Sequence, residues 1–363
     1  MCAFRVLTHP YLQPVRVRLF GEAEKDAVIL PAHIHDAYEA AETFCKEVGE
    51  RPGLNSGFLK TMLLRRVGST IEAGRKTALV MLGPTGDEGD GDEDDVDDAP
   101  RSSLYPLTVG ERAKLELFLD LLKAAGSADD PKYRDVERIL LQGVEGTVPW
   151  LDRGCIIFSQ YYDSAFWVAG RLSRKLPDEP IALYAGAARS GLFRDGLFTR
   201  HDREVLKDGV RRGETRLLVG TDAASEGLNL QMVGTLINLD LPWNPTRLEQ
   251  RKGRIQRIGQ VQDEVYLYNM RYRDSVEDRV HQLLSTRLRA IRDLFGQLPD
   301  TLEDAWVEVA LKDEERAREI IDQVPTVHPF EMRYDRQVET VDWESCSKVL
   351  DSRSQLDVLM EGW

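Results

Sequence analysis

The chain holds 363 residues, 42% of them hydrophobic, with 62 acidic against 48 basic side chains and a formal net charge of −14. That length buries a substantial core and admits two or three domains. No run of about 20 apolar residues offers a helical membrane span, and the opening Met1-Cys2-Ala3-Phe4-Arg5-Val6 lacks the charged-then-apolar layout of a secretory signal.

In chain order, Val15 to Phe20 and Ala27 to Leu30 have the pattern of short or edge strands. From about Ala32 to Val48 the residues Ala37, Tyr38, Ala41, Phe44 and Cys45 recur on one face of a helix. A second helix is expected from about Gly57 to Gly74, where Arg65-Arg66 reads first as a snorkelling basic pair and only second as a phosphate contact. These elements form a mainly helical lead-in over residues 1–82. Asp87 to Asp98 then packs nine carboxylates and no cation into twelve residues, which leaves a net charge of −5 for everything else. Such a run repels itself and is expected to be a disordered linker over 83–104. Global charge therefore neither supports nor excludes nucleic acid, whose binding needs only a local basic strip and backbone donors.

Thr108 with Glu111 makes a capping box for a helix through Leu115, Leu119 and Leu122, and a second helical stretch covers about Lys132 to Leu141. A strand pattern at Gly154 to Phe158 ends in the polar pair Ser159-Gln160. A helix follows from about Tyr162 to Leu176, and Pro180 to Gly186 reads as the next strand. Thr199 with Asp202 is expected to cap a helix from about Arg200 to Arg212. Strands at Arg216 to Gly220, Thr235 to Asp240 and Glu264 to Met270 complete the pattern. Strands alternating with helices imply an α/β fold with a parallel sheet and helices on both faces, here over residues 105–296. Ser275 with Asp278 caps a long helix towards Phe295, and Thr301 to about Gln323 begins a helical extension over 297–363 whose last part carries no chemical motif.

The four cysteines (Cys2, Cys45, Cys155, Cys346) have no close pairs, so neither a disulfide framework nor a zinc site is expected. His33 and His35 read as structural, and no metal ligands are assigned. The chain reads as a reduced, cytoplasmic protein.

Chemistry concentrates between Arg216 and Gln260. A loop of small and hydroxyl residues, Thr221-Asp222-Ala223-Ala224-Ser225-Glu226-Gly227-Leu228-Asn229-Leu230, follows a buried strand, and open α/β sheets place ligands at that end. After the turn Leu241-Pro242-Trp243-Asn244-Pro245, Thr246 and Glu249 form a capping box for a basic helix. Gln250 to Arg257 carries four cations in eight residues, with a helix-disfavouring glycine at position 253. Arg254 and Arg257, three apart, would project from one helical face. Two guanidinium forks on one face suit a polyphosphate.

These residues resemble two motifs of superfamily-two helicases. Thr221 to Leu230 is similar to motif V, and Gln250-Arg251-Lys252-Gly253-Arg254-Ile255-Gln256-Arg257-Ile258-Gly259-Gln260 is similar to motif VI in its Swi/Snf form. Ile237 to Pro245 resembles the segment that joins those motifs in Swi/Snf-like DNA translocases. The segment 56–82 resembles the inter-lobe connector of bacterial RapA/HepA-type proteins. The resemblance implies a second RecA-like motor lobe acting on double-stranded DNA. Arg254 and Arg257 would be arginine fingers that reach ATP, with Gly227 and Asn229 beside the nucleotide. Ser159, in a segment similar to motif IV, would meet the DNA backbone together with Thr221 and Asp222. The long helix after Ser275 looks like the brace such proteins lay across both lobes.

The phosphate loop G-x-x-x-x-G-K-S/T occurs nowhere in the sequence. Asp87-Glu88 cannot serve as a magnesium-holding box, because Gly83 to Gly86 separates it from any buried strand. A first lobe would therefore supply the phosphate loop and hold Mg2+. The chain is then half of a split motor, a piece of a longer one, or, in a different class, a non-catalytic DNA- or partner-binding module that keeps the lobe fold. Glu226 stands where many chromatin-remodelling relatives are apolar, so contacts in that loop are expected to differ.

Overall fold

The computed structural model describes residues 15–50, 57–83, 107–124, 130–186, 189–222, 228, 230–242, 245–257 and 259–282, with two single helical positions at 316 and 319. The acidic run, the loop positions 223–227 and 229, and most of the expected brace and C-terminal helices lie outside these residues.

Eight strands form one sheet: β1 (Arg16–Phe20), β2 (Cys155–Phe158), β3 (Ile181–Tyr184), β4 (Gly191–Arg194), β5 (Leu197–Arg200), β6 (Leu217–Gly220), β7 (Thr235–Asn238) and β8 (Glu264–Asn269). Their order is β1-β8-β7-β2-β6-β3-β4-β5. From β1 to β3 every pairing is parallel. The apolar runs alternate between two cores, as a period of two demands. Cys155, Ile157, Leu217 and Val219 join one, and Ile156, Phe158 and Leu218 join the other.

Helices cover both faces. On the first lie α5 (Pro131–Gln142) and α6 (Tyr162–Lys175); on the second lie α7 (Arg203–Arg211) and α8 (Pro245–Ile255). Local chemistry sets their starts. Asp130 caps α5 through the Lys132 and Tyr133 amides, with Pro131 at the first helical position, where its missing N–H is no loss. Asp202 caps α7. This is the α/β, RecA-like architecture expected from the sequence.

A second, helical cluster comprises α1 (Ala32–Gly49), α2 (Gly57–Ser69), α3 (Ile71–Leu82) and α4 (Val109–Ala124). It is cored by Phe44, Leu63, Val67, Leu115 and Phe118, and Val276 and Val280 of the helical residues 276–282 complete it. The Thr108–Glu111 capping box is present in both directions, at 3.2 and 2.7 Å.

Four expectations need correction. The single helix from Gly57 to Gly74 is two helices, because extended Thr70 (φ −148°) caps α3 with its own hydroxyl. The stretch Ala27 to Leu30 makes only an isolated bridge, Val28 to Tyr272. Between β3 and α7 runs an antiparallel hairpin, β4–β5, where only a helix start was expected. Its turn is Asp195-Gly196, both at positive φ (49° and 76°), the pair that type I′ hairpins favour. Thr199 accordingly lies in β5, and Asp202 alone caps α7. Finally, α8 begins at Pro245, so Thr246 is inside the helix rather than its cap.

Candidate functional site

The carboxyl ends of β2, β6 and β7 converge with α8. The anchor of this edge is Arg251, whose side chain is fully buried. Its Nε donates to Asp222 Oδ1 at 2.7 Å, and its second nitrogen donates to Asn238 Oδ1 at 3.0 Å and to the Asp240 carbonyl at 3.3 Å. The guanidinium also lies 5.3 Å from the centre of the Phe158 ring. Asp222 holds Arg247 as well, at 3.1 Å. The loop after β6, the end of β7 and the first turns of α8 are thus locked by one cation that sequence reading left among four. Nothing in the local pattern marks Arg251 as the buried one.

Asp240 is the second anchor. Its carboxylate accepts from the hydroxyls of Ser69 and Ser159, each at 2.6 Å, and from the Gln160 amide at 3.0 Å. The Ser69 and Ser164 hydroxyls lie 2.7 Å apart, and Thr70 Oγ1 lies 2.8 Å from the same Ser164 hydroxyl. The break between α2 and α3 is therefore docked onto the sheet through buried hydroxyls. Ser159, expected at the DNA backbone, is fully buried and engaged in this network. Thr221 sits at the end of β6 with its amide bound to the Tyr184 carbonyl at 3.0 Å. Asp222 is turned towards α8. Gly227 and Asn229 lie outside the described residues.

The guanidinium groups of Arg254 and Arg257 make no hydrogen bond or ion pair with another described residue. They do not share a helix face in the way their spacing implied: α8 ends at Ile255, and Arg257 follows in irregular backbone. A Cβ at Gly253 would meet nothing within 4 Å, so this side of α8 is open. The segment is pinned behind the arginines. Gln260 Nε2 donates to the carbonyls of Ile255 (2.9 Å) and Val233 (3.1 Å). Gly259 stands at φ +89°, where a side chain would collide with Gln231. Two unpaired guanidinium groups on a pinned segment suit a multiply charged phosphate group.

Behind the edge, buried Lys132 donates to the carbonyls of Gly68 (2.5 Å) and Leu239 (2.7 Å) and pairs with Glu277 at 3.2 Å. Burial pushes the Glu277 carboxyl up to about 7, against the pull of the Lys132 ammonium. Arg65 and Arg66 are buried rather than snorkelling; Arg66 reaches Asp163 at 3.4 Å and stacks over Tyr161. Burial also pushes the thiols of Cys45 and Cys155 up to about 12, so neither is a nucleophile near neutrality. The one group of possible metal ligands among the described residues is His35, Asp36 and Glu39, all exposed on α1. No helix among the described residues is long and apolar enough to cross a membrane.

Residues 151–259 match the helicase conserved C-terminal domain. An uncharacterized ATP-dependent helicase of Bacillus subtilis, YqhH, is 44% identical over 110 residues, which is 30% of this chain and 19% of that protein. The RNA polymerase-associated protein RapA of Vibrio atlanticus is 34% identical over 97 residues, 26% of this chain and 10% of RapA. The match thus spans a fifth or less of these relatives. Among solved structures, the C-terminal part of the Fun30 ATPase domain aligns over 83% of this chain and all of its own, at 18% identity and a TM-score of 0.47. The family match falls on the sheet and its carboxyl-edge loops: residues 151–259 form a helicase conserved C-terminal domain.

Proposed function

We propose that the chain supplies the second motor lobe of an ATP-dependent Swi/Snf-like translocase that runs on double-stranded DNA. The observation that carries this reading is the pair Arg254 and Arg257, presented without a described partner from a segment fixed by Arg251 and Gln260. A pure binding module has no use for arginine fingers. In the motor they donate to the phosphates of ATP and stabilise the charge that develops on the transferring phosphoryl group, an electrostatic task. Gly227 and Asn229 border the nucleotide. A first lobe, on the same or another polypeptide, provides the phosphate loop and holds Mg2+, and closure of the two lobes completes the site.

Thr221 contacts the DNA backbone. Asp222 contributes by orienting Arg251 and Arg247, since a carboxylate facing phosphate would repel it. Ser159 reaches DNA only if its bond to Asp240 opens.

The test is DNA-stimulated ATP hydrolysis by this chain alone and mixed with a candidate first lobe. Turnover only in the mixture supports the reading. Turnover by the chain alone contradicts the two-lobe site, and silence in both with DNA binding retained favours the binding-module alternative.

A further inference from the structure

We propose that the DNA-contacting edge continues outward from Thr221 onto the β4–β5 hairpin, where Arg200 and Arg189 take the phosphate backbone of duplex DNA. The inference rests on the DNA reading given above and extends it to an element outside the motifs that suggested it.

The register of the hairpin decides the geometry. Leu183 of β3 pairs with Gly191, and Gly191 pairs with Arg200. The next strand position, Tyr184, is the residue whose carbonyl receives the Thr221 amide. The His201 amide donates to the Ser190 carbonyl at 3.2 Å, which closes the base of the hairpin. Arg189 and Arg200 therefore stand at the carboxyl edge, in line with Thr221. Arg194 pairs with Leu197 beside the Asp195-Gly196 turn, at the opposite end of the same hairpin.

Charge and exposure point the same way. In a chain of net charge −14, residues 189–203 carry four arginines and two aspartates. Asp195 lies at the far turn, and the Asp202 carboxylate is engaged by the Glu204 amide at 2.8 Å. Arg203 is committed to the Ala185 carbonyl, 2.9 Å from its Nε, and lies over Tyr184, so it props the turn that presents Arg189. The Arg189 guanidinium lies 4.8 Å from the centre of the half-buried Tyr162 ring, at the start of α6. Arg200 is exposed, and its guanidinium makes no ion pair or hydrogen bond with another described residue. Arg75, Arg138, Arg211, Arg212 and Arg216 each pair instead with a nearby carboxylate. One ring-positioned and one unpaired arginine on a rigid edge suit successive phosphates, where contacts fix position rather than read sequence.

The experiment is fluorescence anisotropy of a fluorescein-labelled DNA duplex titrated with the full chain over a range of salt concentrations. Unmutated chain is compared with Arg200→Ala, Arg189→Ala and the control Arg194→Ala. Arg200→Ala and Arg189→Ala should each weaken binding several-fold and lower the slope of log K against log salt by about one. Arg194→Ala, on the same hairpin but at its far end, should change neither. Arg189→Lys, which keeps the charge and the fold, should retain most of the slope. Binding unchanged in Arg200→Ala, or weakened equally in Arg194→Ala, overturns the hairpin assignment while the DNA reading stands. No duplex binding by the unmutated chain overturns both.

Discussion

Asp222 and Arg251 meet at 2.7 Å with the guanidinium wholly inside the protein, so the loop expected at DNA and the helix expected at ATP share one buried ion pair. A buried pair adds little net stability over an apolar isostere, but removing one partner is strongly destabilising.

Arg251→Ala should therefore destabilise the lobe by about 3–5 kcal/mol, because Asp222 loses its buried partner and Asn238 its donor. Arg251→Lys should recover only part, since an ammonium cannot reproduce the fork. Urea unfolding followed by circular dichroism measures both. An alanine variant as stable as the parent would show that the ion pair does not lock this edge.

Arg254→Ala and Arg257→Ala should behave in the opposite way. Neither side chain has a described partner, so stability should stay within about 0.5 kcal/mol of the parent. Hydrolysis by the assembled motor should fall by a factor on the order of 1,000 or more, the usual worth of an arginine finger. Duplex binding should be largely kept. A normal hydrolysis rate in both variants would sink the finger assignment.

Gly253→Ala should stabilise the lobe by up to about 1 kcal/mol, because a helical glycine is costly and the added methyl meets open space. Thermal unfolding of the two proteins settles the sign. A lower melting temperature in the alanine variant would mean that the space beside α8 is filled.

The Lys132–Glu277 joint predicts a dependence on pH. Burial raises the Glu277 carboxyl from 4.5 to about 7. A raised folded pKa means that the native state binds the proton more tightly than the unfolded chain. Its stabilising effect is then full below about pH 4.5 and is lost as pH rises to about 7. Glu277→Gln should remove this slope, on the order of 3 kcal/mol across that window. Unfolding free energies of parent and variant at several pH values test it; parallel curves would contradict the linkage.

Sequence alone carried the parallel strands, because β2, β6 and β7 are short apolar runs buried on both faces. It also carried the open carboxyl edge with its basic helix. The hairpin was less legible: Gly191 to Arg200 mixes polar and apolar residues without a continuous run, and its clearest signal was the Asp195-Gly196 turn. The break at Thr70 hid inside an uninterrupted helical periodicity, where only a hydroxyl three residues before Ala73 hinted at a cap. Burial of Arg251 and Lys132 was invisible, because a buried and a solvated cation look alike until the carboxylates and carbonyls that face them are known. Ser159 shows the same limit, since its partners Ser69 and Asp240 come from distant segments.

Strand β1 pairs along its whole length with β8, and the Arg271 guanidinium reaches back to the Gly21 carbonyl across 250 residues. During synthesis the first of the described strands therefore waits for the last of them before this side of the sheet forms. Such distant pairing slows folding and leaves intermediates open to association. Truncation ahead of Glu264 strands two edges at once, that of β7 and that of β1. Dissection of this lobe should accordingly keep residues 15–282 together, even when only the segment 151–259 is of interest.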